Sequence, residues 1–380
     1  MPSALKPLFS WVHLSDIHFG HGGQGHEADQ LFVTEKVPID IKKVIDNNHI
    51  PSPKMVFVTG DIAFSGSSRP PNDEYQRSAK FLQSLATSIS VPTSEIFVIP
   101  GNHDVQRSTD LADTTLLDSL RAGKIDLDKA LTNRTFKELL TKRQSNYAKF
   151  AKDFAPLNNT PDQAEYAFWW SSTREFSQYK LRIIGLNTAI LSNDDNDQGK
   201  LQVGEVMLSE VFRPASQDGE ELVIVLSHHP VLETWLCPSD QENASRYVSS
   251  HSHIYMCGHV HEAESETRRS GAGKHFVQIT AGAVHRERQH HSYPKTHSYN
   301  IACVYSDEQG KLRLHVWHRR WSDQNKEFKS HVDKLPEGQN FASHELSWRP
   351  SGIPDSSGSV TVAHPIPMPD EEGKKKSSRA

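Results

Sequence analysis

Residues 9–18, FSWVHLSDIH, join an apolar run to two side chains that can bind metal. The run Phe9–Leu14 predicts a buried β-strand, because buried strands are short, continuous and rich in aromatic and β-branched residues. Asp16 and His18 follow at its carboxyl end, two residues apart, so both can turn toward one ion. The stretch therefore indicates a strand that delivers metal ligands to one edge of a sheet.

Two more predicted strands end in the same way, and helical spacing separates the three. The strands are Met55–Thr59, before Gly60-Asp61, and Ile96–Ile99, before Gly101-Asn102-His103-Asp104; the helices run from about Asp29 to Asn47 and from Asp73 to Ser88. This alternation predicts parallel strands with crossover helices. Ligands of such sheets collect beyond the carboxyl ends of the strands, where these motifs lie.

The second half of the chain adds further strands and two histidine motifs. Strands are predicted at 166–170, 181–186, 222–226, 254–256 and 276–279, with a hairpin of 299–305 and 311–317. His228-His229-Pro230 follows one of these apolar runs, and Gly258-His259-Val260-His261 follows another. The motifs of both halves thus occupy equivalent positions at strand ends.

The stretch between Val105 and Gln163 has a different character, with many charged and helix-favouring residues and scattered leucines. It predicts a helical insertion, either a cap over the site or a solvated peripheral element. Periodicity is lost beyond about Glu327, and from Arg349 the chain is rich in Pro, Ser, Gly and charge, which predicts a disordered tail. We therefore expect a catalytic domain at 1–325, containing the insertion at 105–163, and a polar tail at 326–380.

Composition limits the class of protein and its partners. The 380 residues, 36% hydrophobic and 23% charged, can form a globular core in one large domain or two. A net charge of −5 argues against binding nucleic acid by overall attraction, although it leaves a local basic path open. Three cysteines without paired spacing favour free thiols in a reducing compartment. With no signal-peptide pattern and no membrane-spanning apolar segment, the expected location is cytoplasmic.

Seven side chains of these motifs suit hard divalent cations, which prefer oxygen and imidazole ligands. They are Asp16, His18, Asp61, Asn102, His228, His259 and His261. Asp61 follows a glycine and can place one carboxylate oxygen on each of two ions. Two dications carry four positive charges, and Asp16 and Asp61 return only two negative ones, so the site stays cationic. Such a site suits a phosphate ester.

The ordered set D-x-H, G-D, G-N-H-D, H-x-P and G-H-x-H resembles the calcineurin-like metallophosphoesterase superfamily over Phe9 to Trp317. The resemblance implies an α/β (mixed α+β) fold, a four-layer sandwich of two mixed β-sheets flanked by helices. It also implies two divalent or trivalent metal ions (Mn, Fe or Zn). Their ligands would be Asp16, His18, Asp61 and His261 for one ion and Asp61, Asn102, His228 and His259 for the other.

The resemblance further assigns the catalytic residues. His103 would contact the substrate and protonate or stabilise the leaving oxygen, with Asp104 supporting it. The implied reaction is phosphoester hydrolysis by direct attack of a metal-bound hydroxide. The run Gly60–Gly66 resembles the cyclic-nucleotide phosphodiesterase branch, so the expected partner is a small phosphodiester. Phe64 and Ser65 stand where the protein phosphatase branch has Asp and Arg, which disfavours that branch.

Two alternatives remain at this stage. A metal-dependent DNA nuclease of the double-strand-break repair type would use the same ligands, and a non-catalytic metal-binding scaffold could retain them without turnover. Metal identity, oligomeric state, pathway and substrate stay open. The 105–163 insertion and the loops around His21 and His285 are expected to select the substrate.

Overall fold

The first predicted strand lies in the middle of a large mixed sheet in the computed structural model, which describes residues 5–21, 24–69, 72–107, 110–154, 168–176, 179–213, 221–269, 274–284 and 297–348. The strands are β1 (Lys6–Leu14), β2 (Met55–Thr59), β3 (Ser68–Arg69), β4 (Asn72–Asp73), β5 (Ile96–Ile99), β6 (Trp169–Phe176), β7 (Tyr179–Leu186), β8 (Glu221–Leu226), β9 (Ile254–Cys257), β10 (Glu264–Arg269), β11 (His275–Thr280), β12 (Ser298–Ser306), β13 (Leu312–Ser322), β14 (Glu327–Ser330) and β15 (Ala342–Glu345). The helices are α1 (Gln24–Thr34), α2 (Val37–Asn48), α3 (Glu74–Ser88), α4 (Leu111–Arg121), α5 (Leu127–Thr132), α6 (Arg134–Arg143), α7 (Ser145–Ala151), α8 (Glu205–Val211) and α9 (Pro238–His251).

Two mixed sheets form the framework. The first has the order β14-β13-β12-β1-β2-β5, with β15 paired to β13, and the second has the order β10-β11-β9-β8-β7-β6. In the first sheet β1, β2 and β5 are parallel, whereas β12 and β13 form the predicted hairpin. In the second, β7, β8, β9 and β11 are parallel. The predicted fold class, two mixed sheets flanked by helices, is confirmed.

Alternating side chains of the strands separate an inner core from an outer one, since successive residues of a strand point to opposite faces. On β1, Phe9 and Trp11 belong to a cluster built from residues of both sheets and the segment after β15. Val12 and Leu14 belong to a second cluster, which also contains residues of α1, α2 and α3. The first cluster therefore lies between the sheets, and the second joins them to the helices.

One predicted helix is two helices in the structure. The helical spacing predicted from about Asp29 to Asn47 is interrupted after Thr34, and α2 begins at Val37. Pro38 occupies the first turn of α2, where its missing N–H needs no helical partner. The apolar spacing continues across this break, so periodicity alone did not reveal it.

The stretch between Val105 and Gln163 forms α4, α5, α6 and α7 in its described part. Buried arginines attach it to the loop after β7. Arg121 on α4 donates to Asp194 at 2.6 Å and to Asp197 at 2.9 Å, and Arg143 on α6 donates to the Ile190 carbonyl at 3.2 Å. These contacts tie the helical segment to the second sheet. Its role as a cap remains a prediction.

The predicted boundary at 325/326 is wrong, because sheet structure continues past it. β14 pairs with the end of β13, and β15 pairs with its middle. Leu346 and Trp348 are buried in the core between the sheets. Ordered structure therefore extends to residue 348, and 349–380, the remainder of the predicted tail, lies outside the described residues. Among the described residues, no helix combines the length and apolar character needed to cross a membrane.

We predict that the Asp40→Ala substitution lowers the free energy of unfolding by about 3–5 kcal/mol, because it leaves a buried guanidinium without its carboxylate. Asp40 on α2 is 5% exposed and accepts two hydrogen bonds of 2.7 Å from Arg319 on β13 and one of 2.7 Å from the Tyr299 hydroxyl. Urea denaturation measures the change. Lys43→Ala is the control, since Lys43 of the same helix forms an exposed pair with Glu327 on β14 at 3.3 Å, worth at most about 1 kcal/mol. Equal small losses for both variants would contradict the prediction.

Candidate metal centre

The predicted ligands converge where the carboxyl ends of the two parallel strand sets meet. Asp16, Asp61 and Asn102 follow the parallel strands β1, β2 and β5 of the first sheet. The predicted histidine ligands of the second half follow β8 and β9, which are parallel in the second sheet. The side chains of all seven predicted ligands take part in the contacts described below, so the structure brings the whole set together.

Asp61 lies at the middle of this set. Its Oδ2 is 2.9 Å from His18 Nε2 and 3.3 Å from His228 Nε2. Its Oδ1 accepts a hydrogen bond of 2.8 Å from the backbone N–H of His103. The carboxylate is only 1% exposed, so one buried anion contacts histidines from both sheets.

One group of donors surrounds Asp16. Its Oδ1 lies 3.0 Å from His261 Nε2 and 4.0 Å from His18 Nε2. Its Oδ2 accepts a hydrogen bond of 3.1 Å from the backbone N–H of His259. The carboxylate therefore also fixes the loop that carries both histidines of the Gly258–His261 motif.

The second group surrounds His228. Its Nε2 lies 3.0 Å from Asn102 Oδ1 and 3.1 Å from His259 Nδ1. Its Nδ1 donates to the Thr59 carbonyl at 2.7 Å, which fixes the tautomer and leaves Nε2 directed toward the centre. Because the partner is a backbone carbonyl, the identity of residue 59 does not predict this contact.

The donor spacing fits metal ions. Two donors that each lie about 2.1 Å from one ion at right angles are about 3.0 Å apart. The contacts of Asp61, Asp16 and His228 lie at 2.9–3.3 Å, apart from the 4.0 Å between Asp16 and His18. The donor groups His18–Asp61–His103, Asp16–His18–His261, Asp16–Asp61–His228 and His228–His229–His259 each have their ligand atoms within 4.8 Å of one another.

The electrostatics of the centre also suit cations. Burial raises the pKa of Asp16 and of Asp61, but neighbouring histidines outweigh it and hold both pKa values below the usual range. Burial lowers the pKa of His18 to about 4 and that of His259 to about 3. Ionised carboxylates thus lie beside the neutral imidazoles of His18 and His259, and these are the protonation states in which such groups bind metals. Burial also disfavours a charge on His228, but Asp61 raises its pKa to about 9.

Five of the predicted ligands have strained backbones. Their φ angles are +52° for Asp16, +51° for His18, +53° for Asp61, +70° for His259 and +57° for His261. Non-glycine residues adopt this left-handed region uncommonly, and such strain of about 1–3 kcal/mol per residue persists only where surrounding contacts enforce it. Here backbone hydrogen bonds of 3.0 Å, from Asp16 to Gly60 and from His18 to Asp61, join the first two ligand loops.

Gly101 is required by close approach. A Cβ atom at this position would lie 2.1 Å from Asp61 Oδ1 and 2.5 Å from the Asp61 nitrogen. Any side chain there would displace the central carboxylate. The glycine that precedes Asn102 therefore has a steric reason.

His103 lies beside the donors and is partly exposed. Its Nδ1 donates to the Phe64 carbonyl at 2.6 Å, and its ring is stacked on the Phe64 ring at 5.1 Å. The centroid of its ring is 4.5 Å from that of His18. These contacts leave the Nε2 side of a positioned imidazole available next to the centre.

Asp104 lies beneath the loops and is 1% exposed. Its carboxylate accepts from the backbone N–H groups of Ile62, Ala63 and Gly101 at 2.9–3.1 Å and from the Tyr75 hydroxyl at 3.1 Å. Burial raises its pKa to about 6 despite these bonds. Asp104 thus joins the loops that carry Asp61 and Asn102, and its support of His103 in catalysis remains a prediction.

Sequence reasoning assigned no role to two neighbours of the ligands. His229 belongs to one donor group, its Nδ1 lies 3.0 Å from the Thr188 hydroxyl, and its Nε2 has no hydrogen-bond partner among the described residues. Trp235 packs edge-on against His259, with ring centroids 4.1 Å apart. In the sequence, only the doublet His228-His229 pointed to His229 as a neighbour of the ligands.

The two loops predicted to select the substrate differ in what the structure describes. The ring centroid of His21 lies 4.6 Å from that of Phe64, and His285 lies outside the described residues.

Comparisons with known proteins give a consistent result. The family model of calcineurin-like phosphoesterases matches residues 10–263. The chain is 22% identical, over 331 residues, to the "Uncharacterized metallophosphoesterase-like protein YydB" of Bacillus subtilis (strain 168), covering 83% of this chain and 61% of that protein.

The chain also aligns with solved structures, among them those of two bacterial proteins. A putative 5'-nucleotidase from Staphylococcus aureus is 12% identical with a TM-score of 0.40, covering 93% of this chain and 56% of that one. The calcineurin-like phosphoesterase YfkN from Bacillus subtilis is 10% identical with a TM-score of 0.31, covering 90% and 91%. The chain thus spans less than two thirds of YydB and of the nucleotidase.

We expect Asp104→Asn to lower the free energy of unfolding by about 1.5–3 kcal/mol, since an amide replaces a charged acceptor of several buried hydrogen bonds. Bound metal should also fall, because the loops of Asp61 and Asn102 lose their common anchor. Denaturation and metal analysis of the purified protein measure both. Asp110→Asn makes the same chemical change at an exposed N-cap of α4, where Asn serves equally well. If the two variants behave alike, Asp104 does not anchor the loops.

Proposed function

This chain belongs to the calcineurin-like phosphoesterase family, whose members typically bind divalent metals, and we propose from this premise that it is a metal-dependent phosphodiesterase acting on a small phosphodiester. One observation carries the proposal: the buried Asp61 carboxylate contacts His18 of one donor group and His228 of the other. A carboxylate in this position can be shared by two ions. The motif run from Gly60 to Gly66 favours a diester over a phosphoprotein, since Phe64 and Ser65 stand where the protein phosphatase branch has Asp and Arg.

The ligand sets follow the two groups of contacts. Asp16, His18, Asp61 and His261 would hold one ion, and Asp61, Asn102, His228 and His259 would hold the other. When bound, two such ions supply positive charge for the phosphoryl oxygens and a water that is acidic near neutral pH. Manganese, iron and zinc all suit these donors.

The carboxylates of Asp16 and Asp61 also position the backbone of neighbouring histidines in the site. Asp16 Oδ2 holds the backbone of His259, and Asp61 Oδ1 holds the backbone of His103. The Nδ1–H of His103 donates a hydrogen bond to the Phe64 carbonyl. The proton that is transferred to the leaving oxygen must therefore be on Nε2. A doubly protonated imidazole meets this requirement, and transfer of that proton makes His103 a general acid.

The proposed substrate is a small molecule in the cytoplasm. All three cysteines are free, which supports a reducing compartment. The net charge of −5 disfavours nucleic acid as the main partner. A DNA nuclease and a non-catalytic scaffold are the competing hypotheses, and the following experiments separate them.

His103→Ala should reduce turnover by about 10²–10⁴-fold while metal content stays unchanged. The loss should be greatest for diesters with an alkoxide leaving group, which needs a proton, and smaller for 4-nitrophenolate, which does not. Rates for a leaving-group series with wild type and variant test this. An equal loss across the series would assign His103 to substrate binding instead, and undiminished activity would exclude it from the reaction.

Stripping the protein with a chelator should abolish hydrolysis, and Mn²⁺, Fe²⁺ or Zn²⁺ should restore it at about two ions per chain. The restored protein should cleave bis(4-nitrophenyl) phosphate with a higher kcat/KM than 4-nitrophenyl phosphate. Cyclic nucleotides and single-stranded DNA complete the panel. Faster monoester cleavage would refute the diesterase assignment, preferred DNA cleavage would establish the nuclease, and metal binding without any turnover would establish the scaffold.

A further inference from the structure

A cavity of about 280 Å³ borders the loop that carries His259 and His261. Val260, between these two histidines, forms part of its wall. The remaining lining residues are Glu233, Glu262, Glu264, Glu266, Arg268, Gln278 and Thr280. The cavity therefore shares a loop with the metal centre but contains none of the predicted ligands.

The edge of the second sheet forms the floor of the cavity. Glu264 pairs with Thr280, and Glu266 pairs with Gln278, in the antiparallel register of β10 and β11. Directly paired residues share a face of a sheet, so all four side chains project to the same side. Ser265, between the two glutamates, points the other way and contacts His318 of the first sheet.

The cavity carries an excess of negative charge. Arg268 donates to Glu266 at 2.8 Å, and Lys334 lies 2.6 Å from Glu262 and 3.8 Å from Glu264. These two cations face four glutamates, the fourth being Glu233, so the set has a net charge of −2. A monovalent cation that enters the cavity reduces this net charge from −2 to −1.

Gln278 provides a separate indication of a ligand. Its side chain is 3% exposed, and its Oε1 has no hydrogen-bond partner among the described residues. Its Nε2 has only a weak contact, 3.9 Å from Cys257 Sγ. Buried polar atoms are nearly always hydrogen-bonded, so an unpaired acceptor on the wall of an acidic cavity indicates a donor that binds there.

The chemistry of the lining selects the kind of cation. Within the described part of the chain, the groups of three or more carboxylate or imidazole side chains close enough to share one metal ion all lie at the metal centre. Quaternary ammonium groups are recognised by aromatic rings, and the lining has none. A primary ammonium has three N–H donors for the available oxygens of Glu264, Glu266 and Gln278.

We propose that this cavity binds a primary ammonium group carried by the alcohol portion of the substrate. This inference rests on the proposed phosphodiesterase function and narrows its substrate to amino-alkyl phosphodiesters. The shared Val260 places the ammonium group next to the centre where the ester is cleaved. Glu264 and Glu266 supply the charge, and Gln278 supplies a neutral acceptor.

The test compares 4-nitrophenyl diesters whose second alcohol is an ω-aminoalkyl chain of increasing length with diesters of the n-alkyl alcohols of equal length. At the best length the ammonium should raise kcat/KM about tenfold or more, as one charge-assisted hydrogen bond provides. Trimethylation of the nitrogen should remove most of the gain. No gain at any length, or a gain that survives trimethylation in full, would overturn the proposal.

Glu264→Gln/Glu266→Gln should abolish the preference for the amine while leaving turnover of the n-alkyl diesters unchanged, which also shows that the variant is folded. Glu308→Gln/Glu337→Gln makes the same charge change at exposed positions outside the cavity and should retain the preference. Equal losses in both variants would assign the effect to net charge and refute the site. Glu233→Gln, which removes another carboxylate of the lining, should weaken the preference in the same direction.

Calorimetric titration of the metal-free protein with an n-alkylammonium ion separates this proposal from the proposed function. Binding that is lost in Glu264→Gln/Glu266→Gln supports the cavity even if no diester is cleaved. Hydrolysis of the n-alkyl diesters without ammonium binding supports the phosphodiesterase and overturns the cavity.

Discussion

The Asp61 carboxylate is the group on which the arrangement of this protein depends. A buried anion is costly unless partners surround it, and here those partners come from different parts of the fold. His18 and His103 follow strands of the first sheet, whereas His228 follows a strand of the second. The partners of the Asp61 carboxylate therefore come together only when the two sheets pack against each other. Gly101 contributes by leaving room for the carboxylate.

Much of the framework could be predicted because its strands are buried on both faces. The apolar runs of β1, β2, β5 and β8 are continuous, and their ends are marked by glycine and polar ligands. β10 was missed because the sequence of this edge strand is charged throughout, without apolar alternation. β14 and β15 are four-residue strands formed by pairing with β13, which is a tertiary effect.

In the candidate site, too, the sequence predicted some features and not others. Residue type and motif order predicted all seven proposed ligands and His103, and the structure places them together, although their binding of metal remains a proposal. Local sequence does not encode the backbone partners, such as the Thr59 carbonyl that orients His228. It also does not reveal that Trp235 packs against His259. The left-handed conformations of the ligand residues arise from contacts between loops far apart in the chain, so they too become visible only in the folded molecule.

The hydrogen bond from His259 to Asp16 joins residues 243 positions apart in the chain. The two ends of the centre are therefore synthesised at different times. At ribosomal rates of about 5–20 residues per second, the amino-terminal ligands emerge about 10–50 s before the histidines that complete the set. β1 likewise waits for β12, its antiparallel neighbour. For that interval the nascent chain contains an apolar strand without its antiparallel neighbour and the two carboxylates without the histidines of the second half. The full set of candidate ligands therefore exists only after translation has passed the last of these histidines, and a metal ion that arrives earlier meets a partial set.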